Sequence, residues 1–108
     1  MKRLLLVGFL ILLPTRSHAV FDTGNDLYNF CTSKNDLKLM LCLGLVTGYY
    51  EGLSFTYDCD TSPKVTREQM KDIVVKFLRD NPAERHRAAV ALAGRAYFLA
   101  FSCKKRPD

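Results

Sequence analysis

Four cysteines, Cys31, Cys42, Cys59 and Cys103, in a chain of 108 residues constrain the fold more than any other feature. Their chemistry depends on the compartment, and the first residues address that. Met1-Lys2-Arg3 is a basic start, Leu4 to Leu13 is an apolar run, and Ser17-His18-Ala19 puts small residues at the two positions a signal peptidase reads. The pattern predicts a secretory signal over residues 1–19, cleaved after Ala19, with an apolar core too short to remain as a membrane anchor. The mature chain is then expected to begin at Val20, outside the cytoplasm, with no stable membrane insertion. An even cysteine count in a small exported chain predicts two disulfides in an oxidising compartment.

Cleavage also changes the charge. Taking 19 residues from 108 leaves 89, and losing Lys2, Arg3 and Arg16 lowers the formal charge from +5 to +2. The basic character belongs largely to the signal, so it does not argue for a nucleic-acid partner. Residues 20–108 suffice for one small domain with a marginal core.

Helical signals dominate the rest, and no window alternates as a strand. Thr66-Arg67-Glu68-Gln69 reads as a capping box, followed by Met70, Ile73, Val74, Phe77 and Leu78 on one helix face. Asn81-Pro82-Ala83-Glu84 reads as a second start, with a cap residue and proline at the first helical position, opening a helix to about Phe101. Asn35 or Asp36 starts a long apolar helix that fades near Tyr57, and a short helix is expected over about residues 24–32. The expected fold is all-α, a small disulfide-stapled bundle of about four helices.

Within the long helix, Gly44, Gly48 and Gly52 recur every four residues, each costing on the order of 1 kcal/mol relative to alanine. Lys38 and Glu51 argue against a membrane span. In the last helix Ala89, Ala93, Ala96 and Ala100 also share a face. The expectation is that the two small-residue faces pack against each other, letting the backbones approach closely.

Cys59 and Cys103 lie just past the ends of two helices that an up-down-up arrangement makes parallel, and Cys31 faces Cys42 across a short turn. Joining Cys42 to Cys59 instead would bridge roughly 25 Å along a continuous helix at 1.5 Å per residue, and joining Cys42 to Cys103 would link opposite ends of parallel helices. Neither fits disulfide dimensions. The expected pairs are Cys31–Cys42 and Cys59–Cys103.

An enzyme needs a constellation that this chain lacks. His86, between Arg85 and Arg87, is the only histidine after the signal, and pairing the cysteines leaves no thiol nucleophile. No cysteine pair has CxxC spacing, so no zinc site is expected. Asp58-Cys59-Asp60 imitates a calcium loop, but Pro63 stands where that loop requires glycine and Gln69 where it requires glutamate. No metal, cofactor or catalytic residue is expected. The longest connection, Tyr57 to Val65, remains as a candidate partner-binding surface. In it Asp58 and Asp60 carry charge, Tyr57 offers contact area, Thr61 and Ser62 lie between, and Pro63 limits the ordering cost of binding.

The order of these features, with "CLGLVTGYYEG", "NPAER" and the closing "AFSC", resembles the Rap/Tai family of immunity proteins of type VI secretion systems over nearly the whole mature chain. Leu45 stands where that family often has tyrosine, and Ser102 where proline is usual. The resemblance implies a periplasmic antidote, commonly a homodimer. It would bind a cognate cell-wall amidase toxin, a cysteine–histidine peptidase acting on peptidoglycan, and block its cleft with a loop. The rival expectation is a periplasmic chaperone-like or envelope stress protein without a cognate toxin.

Overall fold

Thr23 opens the first helix with a capping box: its hydroxyl accepts from the Asp26 N–H, and the Asp26 carboxylate accepts from the Thr23 N–H. In the computed structural model, which describes residues 21–108, that helix is α1, Gly24–Cys31. The expected signal and its cleavage site lie outside the described residues. α2 spans Asp36–Leu53 with Asn35 as its cap. α3 spans Arg67–Asp80, and its expected capping box is formed by Thr66 and Gln69. α4 spans Ala89–Ala100. α2, α3 and α4 pack mutually, and α1 lies against all three.

The core they enclose contains the fully buried Leu27, Val46, Val74, Leu78, Leu92 and Tyr97. Cys31 bridges Cys42 between α1 and α2, and Cys59 bridges Cys103. The fold is all-α apart from one two-stranded antiparallel ribbon, β1 (Tyr57–Cys59) with β2 (Cys103–Lys105). Strands of three residues are too short to show alternation, so the sequence offered no sign of them.

The last helix starts later than expected. Asn81 makes no cap bond; its amide donates back to the Phe77 carbonyl, closing α3 instead. Pro82–Glu84 forms a 3-10 turn, and α4 begins only at Ala89. The intervening carbonyls are claimed by the chain entering α1: the Gly24 N–H donates to the Arg87 carbonyl at 2.8 Å, and the Asn25 N–H to that of Arg85 at 2.8 Å. The Ala89 N–H in turn donates to Asp22. Long-range hydrogen bonds hold residues 85–88 out of the helix.

The glycine ridge does not pack on the alanine helix. Gly44, Gly48 and Gly52 are exposed, and a Cβ at any of them would meet nothing within 4 Å. Val46 is fully buried and lies two residues from both Gly44 and Gly48. Two residues turn a helix by roughly 200°, so burying Val46 sends those glycines outward. Ala89, Ala93 and Ala96 do reach the core, whereas Ala100 is exposed. α4 meets α2 through aromatic side chains: the Tyr97 hydroxyl donates to the Val46 carbonyl, and Tyr50 sets its ring edge-on to Tyr97 and Phe101.

The glycine that requires a close approach is Gly24. A Cβ there would lie 2.9 Å from the Arg85 carbonyl oxygen and would strike Leu92. Gly24→Ala is expected to cost about 1–3 kcal/mol by overpacking, read as a lower urea midpoint. Gly94→Ala, in open space within α4, is expected to gain about 0.5–1 kcal/mol through helix propensity.

Candidate partner-binding site

α2 ends where the Ser54 N–H reaches the Tyr50 and Glu51 carbonyls, and the Phe55 and Thr56 N–H groups turn back to Gly52 and Leu53. The chain then enters β1, which β2 holds in register: Tyr57 opposite Lys105, Asp58 opposite Lys104, and Cys59 opposite Cys103. The second bridge joins the last of these pairs, with the Cα atoms 3.9 Å apart. Arg106 ties the other end. Its N–H donates to the Thr56 carbonyl at 2.8 Å and its Nε to that of Ser54 at 2.7 Å.

The loop from Asp60 to Val65 springs from this clasp. The Asp60 N–H donates to Ser102, and the Asp60 carboxylate accepts from the Ser62 N–H at 3.1 Å, a local turn that such short acidic side chains favour. On one side lies an open concavity of about 860 Å³ lined by Asp58, Cys59, Asp60, Thr61, Ser62, Lys64, Ser102 and Lys104. On the other side a smaller one of about 330 Å³ reaches Pro63, Val65 and Phe101. The segment therefore stands as a rib between two hollows.

Five of the six expected contact residues, Asp58, Asp60, Thr61, Ser62 and Pro63, are available along this rib; Asp58, Asp60, Ser62 and Pro63 are exposed. Tyr57 is not free contact area. It is half-buried, with its ring edge-on to Phe98 at 4.8 Å. The surface is also less acidic than the loop sequence implies. Lys104 pairs across the ribbon from Asp58, Lys64 lines the same concavity, and an Arg106 nitrogen lies 3.7 Å from the Asp58 carboxylate. Sequence reasoning missed Lys104, Ser102 and Arg106. The signal was present, because bridging Cys59 to Cys103 brings the flanking residues of both cysteines together.

His86 lies elsewhere, exposed, with its Nδ1 3.0 Å from the Ala83 carbonyl. Among the described residues no three metal-ligating side chains converge, and both bridges leave no free thiol. No helix among them is long and apolar enough to cross a membrane. What this surface offers is rigid, hydrogen-bonded contact of mixed charge.

A family model described as Rap1a immunity proteins matches residues 23–103. The chain belongs to the Rap1a immunity protein family. No curated protein and no solved structure matches it. The matched span begins at Thr23, the cap of α1, and ends at Cys103, so it takes in all four helices, both bridges and the whole rib. Membership in the Rap1a family makes the chain an immunity protein, whose partner is a type VI secretion effector. Such proteins act by binding and are generally not enzymes.

Proposed function

We propose that this chain is a periplasmic immunity protein, exported by a signal over residues 1–19, that neutralises a peptidoglycan amidase by seating the Asp58–Pro63 rib in its active-site cleft. The observation that carries this reading is the clasp. A ribbon, a bridge and Arg106 fix the entry to an exposed loop, and the Thr66 capping box of α3 follows its far end, so little freedom is lost on binding. The Asp58 and Asp60 carboxylates suit the imidazole or basic rim of a cysteine–histidine site, and Lys64 and Lys104 suit acidic groups around it. The working unit is a homodimer. No cofactor or metal is needed, because inhibition requires only occupancy of the cleft.

The double variant Asp58→Ala with Asp60→Ala tests this. Both side chains are exposed, so circular dichroism and the melting temperature should be essentially those of the parent. Affinity for the cognate amidase, measured by calorimetry, should fall at least tenfold, about 1.4 kcal/mol. Unchanged affinity in a folded double variant would move the contact away from the rib.

A further inference from the structure

The two bridges sit in opposite surroundings. Cys31 is 5% exposed and Cys42 is fully buried, and both belong to the core with Leu27 and Val46. Cys59 and Cys103 are half-buried, and their neighbours Asp58, Asp60, Ser102 and Lys104 are all exposed. Cys59 also lines the open concavity of about 860 Å³ beside the rib. Among the described residues, no side chain of β1 or β2 belongs to the core or is one of the partly buried apolar groups packed against it. Small solutes therefore reach one bridge and not the other, and the reachable one lies outside the core.

Resting on the reading of the Asp58–Pro63 rib as the effector contact, we propose that Cys59–Cys103 is a reversible redox site that switches effector binding, with a dithiol as its reductant. Exposed disulfides are the labile, regulatory ones, whereas buried structural ones resist reduction. A thiolate of the dithiol enters the concavity and attacks the Cys59 Sγ. The bond between Cys59 and Cys103 breaks, and Cys103 leaves as a thiolate. The reductant's second thiol, deprotonated, then attacks the reductant's own sulfur in the mixed disulfide, and Cys59 leaves in turn. Both cysteines take up protons, the bridge has gained two electrons, and the reductant departs as its internal disulfide.

Local charge favours this exchange. Lys104 directly follows the leaving Cys103, and Lys64 lines the same concavity; cations beside a departing thiolate speed its release. Asp58 and Asp60 flank the attacked sulfur with opposite charge, but an Arg106 nitrogen lies 3.7 Å from the Asp58 carboxylate, and the Asp60 carboxylate accepts from the Ser62 N–H. After reduction the register of the ribbon still sets the two thiols opposite each other, so reoxidation restores the bridge. A two-stranded ribbon this short is marginal by itself, and without the bridge the start of the rib frays. Binding must then order it, at an entropy cost that the bridged form avoids. Coupling is reciprocal: an effector that prefers the bridged form makes the bridge harder to reduce by the same factor.

Dithiothreitol redox buffers applied to the purified chain, quenched by alkylation and read by peptide mass mapping, test the site. Cys59 and Cys103 should be alkylated together at least tenfold faster than Cys31 and Cys42, with the helical circular dichroism retained. Equal rates, an earlier opening of Cys31–Cys42, or helix loss concurrent with the first reduction would overturn the site. The switch is read by repeating the titration with saturating cognate amidase whose catalytic cysteine is replaced by alanine. For a tenfold preference for the bridged chain, the midpoint potential should fall by about 30 mV. A midpoint that does not move would overturn the switch. If Asp58→Ala with Asp60→Ala still weakens amidase binding, the rib reading survives that failure; if it does not, both fall.

Discussion

Replacing Cys59 and Cys103 together by alanine is expected to destabilise the fold by about 4 kcal/mol, the loop-closure entropy of a cross-link between residues 44 apart in sequence. Replacing Cys31 and Cys42, 11 apart, should cost about 3 kcal/mol on the same ground. Small domains are stable by roughly 5–15 kcal/mol in total, so either loss is a large fraction of what is available. Urea titration of the two double variants beside the parent gives both values. An equal or reversed ranking would mean that native packing, rather than chain entropy, sets each bridge's contribution. The Cys59–Cys103 variant should also lose affinity for its effector beyond its loss of stability, because the start of the rib is then held without a covalent link, by the three-residue ribbon, the Asp60–Ser102 hydrogen bond and Arg106.

Tyr97→Ala is expected to cost about 3–5 kcal/mol, the range for truncating a large core aromatic. Tyr97 is wholly buried, stacks on Phe101 and meets Tyr50 edge-on. Its hydroxyl donates to the Val46 carbonyl within α2. Tyr97→Phe keeps the ring and removes only that donor, so its cost should be about 1–3 kcal/mol for a buried carbonyl left without its partner.

The same residue predicts an alkaline limit. Burial, with smaller contributions from Tyr49 and Tyr50, raises the Tyr97 phenol well above its ordinary value of 10.0. Burial, and then the charge of Asp22, raises Tyr49 as well. Above pH 10 the unfolded chain releases a phenolic proton that the folded chain keeps, so stability is intact below that pH and falls as pH rises through the window above it. Tyr97 alone contributes a slope of about 1.4 kcal/mol per pH unit there. Urea midpoints at pH 9 and pH 11 should show the decline in the parent and a shallower one in Tyr97→Phe.

Local chemistry made much of this protein readable before any coordinates. The Thr66–Gln69 capping box forms as its residue types require, because both of its hydrogen bonds close within four residues. α2 takes Asn35 as its cap for the same reason. The all-α class follows from dense 3.6-residue periodicity, and the order of cysteines, glycines and the Pro82 turn carries the family. The rib was legible as the longest connection, but its charge was not. Lys104 and Arg106 reach it through a ribbon of strands too short to leave a pattern.

Tertiary structure decided what local signals left degenerate. Asn81-Pro82-Ala83-Glu84 has the composition of a helix start, yet carbonyl groups at Arg85 and Arg87 are taken by α1 and the helix waits until Ala89. α2 is apolar all round, so its periodicity does not say which side is buried. Its orientation is set by the bridge at Cys42 and by Tyr97 at Val46, and the glycines follow outward. Side-chain spacing determines that a face exists, because it depends only on the rise and turn of one helix. Which way that face points depends on a hydroxyl that reaches it from 51 residues away.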